Sequence, residues 1–142
     1  MIGPFMTPEI LARIATARAA RDLSDLARQA VATTAETTSP AERIRRAREL
    51  RELTNQLVDL VVLAESFGGA SWEEITAALG RRDPGTVRRE FAGDIADWGG
   101  KSEEELERAA EGYEALDQWY ARHREDQDPE GSTPVADLLN RH

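Results

Sequence analysis

The chain has 142 residues, of which 18 are basic and 27 acidic, for a net charge of −9, and 40% are hydrophobic. This length and apolar content predict one ordinary domain with its own core, and the absence of cysteine excludes disulfides and cysteine-based zinc sites. Twelve of the acids lie in residues 100–142 against five basic residues. The acid surplus disfavours nucleic-acid binding in general, but its position is compatible with a DNA-facing surface elsewhere.

Neither a signal for secretion nor a membrane span is predicted. The first residues lack the basic and apolar segments of a secretory signal. The longest apolar passage, Leu57 to Ala64, is interrupted by Asp59 and falls well short of the roughly 20 residues that cross a bilayer. We therefore expect a cytoplasmic protein.

Helix starts are marked unusually clearly. A capping residue followed by proline, which suits the first helical position, occurs at Thr7-Pro8, Ser39-Pro40, Asp83-Pro84 and Thr133-Pro134. Ser71 with Glu74 and Ser102 with Glu105 have the spacing of capping boxes. No alternating strand pattern of useful length occurs. The predicted fold class is all-α.

Residues 1–67 are predicted to form a long helical hairpin. Apolar residues recur at spacings of three and four from Thr7 to about Ala35, and again from Pro40 to the glycines Gly68-Gly69. Each helix would be roughly 40 Å long, at about 1.5 Å per residue. A small three-helix unit cannot cover that length, so either the helix predicted over residues 102–124 packs along the hairpin or a second copy does. We favour the second copy and expect a homodimer through the faces bearing Ile14, Leu23, Leu53, Leu57 and Val61.

Residues 68–100 have the pattern of a helix-turn-helix. A short helix from Ser71 to Leu79 is followed by Gly80, where a left-handed C-cap is expected. A second helix after Asp83-Pro84 has one apolar face. Its members are Val87, Phe91, Ile95 and Trp98.

The stretch Gly-Ala-Ser-Trp-Glu-Glu-Ile-x-Ala-Ala-Leu-Gly, at residues 69–80, resembles the first half of the helix-turn-helix modules of actinobacterial DNA-binding proteins, which are related to region 4 of sigma factors. The resemblance extends to about Phe91. It implies DNA binding through the second helix, with Arg88 and Arg89 meeting DNA. Two features depart from the family: Arg81 follows Gly80 in place of valine or isoleucine, and Val87 comes one residue later.

The predicted partner is double-stranded DNA. Arg88 and Arg89 are expected to reach base edges in the major groove, and the turn arginines to meet phosphates. Glu90 and Asp94, on the exposed side of the second helix, would instead repel phosphate. The full predicted DNA-binding set is Arg81, Arg82, Thr86, Arg88 and Arg89.

The C-terminal part is predicted to be accessory. Residues 101–125 are expected to form one acidic amphipathic helix that packs on the hairpin, and residues 126–142 a polar linker with a short terminal segment. The apolar patch of that segment is a candidate docking site for a protein partner. Its members are Val135, Leu138 and Leu139.

Catalysis has little support, because histidine occurs only at positions 123 and 142 and cysteine is absent. We predict no catalytic residues, no cofactor and no metal. The favoured function is a small DNA-binding regulator of transcription or of plasmid or phage functions. The alternative is a non-catalytic adaptor, in which the helix-turn-helix and the acidic C-terminal part bind another protein.

Overall fold

The computed structural model describes residues 6–34 and 37–140, and within them it contains seven helices and no strand. The all-α prediction is confirmed. None of these helices has the length and apolar character to cross a membrane. The helices are α1 (Pro8–Thr33), α2 (Pro40–Phe67), α3 (Trp72–Ala78), α4 (Pro84–Gly99), α5 (Glu103–Ala110), α6 (Glu114–His123) and α7 (Pro134–Leu139).

Local capping explains most of the helix boundaries. The hydroxyls of Thr7 and Ser39 accept the backbone N–H groups of Ile10 and Glu42, which start α1 and α2 as predicted. The predicted end of α1, at about Ala35, lies outside the described residues. Ser71 starts α3 with a complete capping box, because it and Glu74 exchange side-chain and backbone hydrogen bonds.

The core lies at the base of the α1–α2 hairpin. Leu11, Ala12 and Ile14 of α1 are buried there, as are Val62 to Ala64 of α2. Helices α3 and α4 pack on α2, whereas α5, α6 and α7 pack on α1. The rest of the hairpin is an arm of two helices: of the described residues between 20 and 58, only Thr33 is buried.

The burial of Ile14 corrects one part of the predicted dimer face. This side chain has no exposed surface, because it lies in the cluster formed with Met6, Leu106 and Leu116. It cannot contact a second copy. Amphipathic spacing alone identifies an apolar face but does not show which element covers it.

The predicted single helix over residues 101–125 is in fact two helices. Gly112 has a φ of 82°, a left-handed conformation that ends α5 and turns the chain into α6. The Arg18 guanidinium, from α1, donates to the carbonyls of Ala109 and Glu111 at 2.6 and 2.7 Å. It therefore satisfies backbone acceptors that the break leaves without helical partners. The expected packing on the hairpin is present, through α1.

The apolar patch of the terminal segment packs on the chain itself. Val135 is buried in the cluster around Ile14 described above, and Leu138 and Leu139 pack against that cluster. The predicted cap residue, Thr133, makes no capping hydrogen bond. Instead the buried carboxylate of Asp117, in α6, accepts the N–H groups of Val135 and Ala136, each at 2.9 Å. Val135 is thereby unavailable to another protein, whereas Leu138 and Leu139 stay partly exposed.

We predict that Asp117→Ala lowers the free energy of unfolding by about 1–3 kcal/mol, because the buried amide of Val135 and the part-buried amide of Ala136 would lose their acceptor. Chemical denaturation followed by circular dichroism measures the change. Asp126→Ala is the matched control, since Asp126 is exposed and makes no hydrogen bond among the described residues. Equal stability of the two variants would contradict the role assigned to Asp117.

Candidate nucleic-acid interface

The helix-turn-helix region is built on the end of α2. Val62 of α2, Ile75 of α3, and Val87 and Phe91 of α4 form one buried cluster. The Trp72 ring stacks on Phe91 with a centroid distance of 6.3 Å. The three helices therefore form a small unit with its own core, and that core holds α4 on α3 and α2.

The turn between α3 and α4 has a defined conformation despite its extra residue. Gly80 has a φ of 72°, and the N–H of Arg81 reaches the carbonyl of Thr76 at 3.0 Å, the pattern of a Schellman C-cap. The Asp83 carboxylate then accepts the N–H of Gly85 at 3.0 Å and starts α4. The longer turn thus ends one helix and begins the next with ordinary caps.

The outward side of α4 is exposed, and most of its residues are small. At about 100° per residue, the direction opposite the buried Val87 and Phe91 is centred on Arg89. Arg88 lies to one flank of that direction, next to Trp72 in a shallow surface pocket. Besides Arg89, the outward side carries Gly85, Gly93 and Ala96, all exposed.

Arg81 is paired with an acid of α4. Its guanidinium makes a bidentate contact with the Glu90 carboxylate, at 2.5 and 2.8 Å. The contact lowers the pKa of Glu90, because a hydrogen-bonded cation favours the charged carboxylate. The sequence had assigned Arg81 to phosphate, but in this structure its charge is matched by a carboxylate.

Thr86 and Arg89 belong to a small hydrogen-bonded chain. The Thr86 hydroxyl donates to Asp83 at 2.6 Å, and Arg89 donates to the Thr86 oxygen at 3.2 Å. The hydrogen bond from Thr86 lowers the pKa of Asp83, and backbone N–H bonds from Gly85 and Thr86 add to the effect. Arg89 is thereby aligned without an ion pair among the described residues.

The two flanks of α4 differ in charge. Arg82 and Arg88 make no ion pair within residues 6–34 and 37–140. The opposite flank has Glu90 and Asp94, and it faces Asp59 of α2. Asp59 is an exposed residue, but partial desolvation of its carboxylate raises its pKa, and the charges of Asp94 and Glu90 raise it further. Sequence spacing gave no sign that Asp59 belongs to this region.

The described residues contain no group of three or more histidine or acidic side chains that could hold a metal ion. No family model, no curated protein and no solved structure matches the chain.

We predict that Asp59→Asn stabilises the protein at pH 7. Because the folded pKa of Asp59 lies above its ordinary value of 3.8, ionisation of this carboxylate costs stability above the folded pKa, and the cost is absent below pH 3.8. Thermal unfolding of the variant and the parent should be compared at pH 7 and below pH 3.8. The variant should be more stable than the parent at pH 7 and equally stable at the acid pH. Glu52→Gln, at an exposed acid of the same helix, should have no such effect.

Proposed function

We propose that the chain is a small cytoplasmic DNA-binding protein, a regulator of transcription or of plasmid or phage functions, that places α4 in the major groove. The observation that carries this proposal is the uncovered outward side of α4. There, Arg88 and Arg89 are exposed and make no ion pair among the described residues. The small residues around Arg89 leave room for close approach to a groove about 12 Å wide.

The side chains suggest distinct roles. Arg89, at the centre of the outward side, is suited to two hydrogen bonds with guanine O6 and N7. Its contact with Thr86 is a single neutral acceptor at 3.2 Å, which a base edge could replace. Arg88 is suited to a neighbouring base, and Arg82, in the turn, to a phosphate. Thr86 is available to either.

The acidic flank restricts the approach. Glu90 and Asp94 would repel phosphates, so the helix must tilt this flank away from the DNA backbone. Arg81 has only a weak role in this arrangement, because DNA would have to compete with Glu90 for its guanidinium. The resemblance of residues 69–91 to the helix-turn-helix modules related to sigma region 4 supports the same use of α4.

The test is selection of bound sequences from a random duplex pool by the full chain. We expect a defined site to be enriched. Arg88→Ala and Arg89→Ala should each relax the preference at one position, by about 1–3 kcal/mol per base pair. Arg82→Ala should weaken all duplexes alike and reduce the slope of log affinity against log salt by about one.

Arg28→Ala is the control for these arginine variants, since Arg28 lies on the arm and pairs with Asp25. It should bind the selected duplex as the parent does. If Arg88→Ala and Arg89→Ala stay folded and keep the parent affinity and preference, α4 is not the DNA-contacting helix.

We also predict that Glu90→Gln strengthens duplex binding. The substitution removes one phosphate-repelling charge and releases Arg81, so the salt slope should become steeper by about one. Fluorescence anisotropy over a range of salt concentrations measures it. Asp126→Asn is the control, because Asp126 is an exposed acid outside the helix-turn-helix. An unchanged or weaker affinity for Glu90→Gln would count against this phosphate geometry.

A protein-binding adaptor is the second candidate, favoured by one specific observation: Glu90 holds Arg81, and Asp59 and Asp94 make this flank of α4 acidic. An acidic, partly apolar surface of this kind suits a basic protein partner. Failure to enrich any duplex, even at low salt, would favour the adaptor over the DNA-binding protein.

A further inference from the structure

Besides the residues that face α1, helix α2 has another row of residues with heptad spacing. Every member of this row is exposed. Its spacings alternate between three and four, the repeat of a coiled-coil seam. Three members are large apolar side chains with high exposure: Ile44 at 61%, Val58 at 42% and Val61 at 40%. The complete row, called the outer row below, is Ile44, Ala47, Arg51, Thr54, Val58, Val61 and Glu65.

Apart from Glu65, which pairs with Arg13 of α1, the outer row is distinct from the contact between α1 and α2. The residues that immediately precede the members of the outer row form a row of their own. Its leucines are half-buried, as expected for the seam with α1. Its leucines are Leu50, Leu53, Leu57 and Leu60. Helix α2 therefore has two seams, of which only one has a partner within the described residues.

An apolar groove of about 330 Å³ lies at the α3 end of the outer row. Val58, Val61 and Leu79 are among the residues that line it. Ile44 lies 17 residues before Val61 on α2, which is about 25 Å along the helix axis at 1.5 Å per residue. The same side of one helix thus presents an apolar knob at one end and an apolar groove at the other.

The charges of α2 are divided in the same way. Residues 40–51 contain five arginines and two glutamates, whereas residues 52–67 contain three acids and no basic residue. Asp59 faces α4 and Glu65 pairs with Arg13, so these acids act here through the net charge of their half of α2. An antiparallel pairing of two α2 helices brings the oppositely charged halves together, and a parallel pairing brings the two arginine-rich halves together. The Thr54 hydroxyl donates to the Leu50 carbonyl at 2.8 Å, so it presents no unsatisfied donor to such a contact.

We infer that the outer row is the interface of a homodimer in which two α2 helices pack antiparallel about a two-fold axis near residues 52 and 53. Ile44 of each copy packs against Val61 of the other and reaches the groove beside α3. Ala47 packs against Val58, and Arg51 lies beside Thr54. The contact is self-complementary, as a two-fold interface requires. It shares only Val61 with the face expected from sequence, because Ile14 is buried and Leu53 and Leu57 lie in the seam with α1.

This inference is independent of the DNA proposal, and its first test contains no DNA. Light scattering of the full chain at tens of micromolar should give twice the chain mass of 15.7 kDa. Ile44→Asp should raise the dissociation constant of the dimer by about tenfold or more, because the lost apolar contact occurs twice. Val31→Asp is the matched control: Val31 is 72% exposed but lies on α1, and the dimer should persist.

A parent chain that is monomeric at this concentration would overturn the inference. So would a dimer that Ile44→Asp leaves intact, or one that Val31→Asp disrupts equally. Both substitutions are at exposed positions, and matching circular dichroism spectra would show that the helices remain formed.

Cysteine crosslinking tests the direction of packing, since the chain has no cysteine of its own. Ile44→Cys chains and Val61→Cys chains are mixed and oxidised in air with a copper catalyst, which passes the two electrons released by disulfide formation to oxygen. The antiparallel interface predicts crosslinks between the two variants and none within either variant alone. Crosslinks within the separate Ile44→Cys or Val61→Cys samples would instead indicate parallel packing and overturn the arrangement.

Discussion

The base of α2 is the part of the structure on which both sides of the molecule depend. Val62 contributes to the cluster with α3 and α4, and the adjacent Leu63 and Ala64 pack against Ala12 of α1. The Arg13 guanidinium spans the two long helices by pairing with Glu9 and Glu65. Because α1 in turn supports α5, α6 and α7, these few residues fix the helix-turn-helix unit relative to the C-terminal helices.

The sequence predicted the elements where local chemistry decides them. Caps at Thr7, Ser39, Ser71 and Asp83 depend on neighbours three residues away at most, and all four appear as expected. The break after Ala110 was missed because apolar residues keep a helical spacing across it. What ends α5 is a left-handed glycine, and the break is supported by hydrogen bonds from Arg18, which lies 91 positions before its acceptor Ala109.

The candidate interface shows the same division. The sequence predicted an inward line through Val87 and Phe91, and the structure confirms it. That line also determines where Arg88 and Arg89 lie. The pairing of Arg81 with Glu90 depends on the conformation of the turn, and the approach of Asp59 depends on the angle between α2 and α4. Neither contact can be predicted from periodicity, since a helical pattern defines a face but not the element that packs opposite it.

The overall acidity of the chain changes how a DNA contact would have to work. A strongly basic protein binds any duplex through phosphates, and salt then controls most of its affinity. Here only a few arginines on α4 and its turn are free of carboxylates within the described residues, and an acidic flank lies beside them. Nonspecific binding should therefore be weak, which leaves base contacts to supply a larger share of the affinity. One α4 offers few such contacts, so a second α4 in the same assembly matters more than it would for a basic protein. In an antiparallel dimer each α2 carries its own α3–α4 unit toward an opposite end, and simultaneous contact by both units would multiply two weak affinities through their high effective concentration.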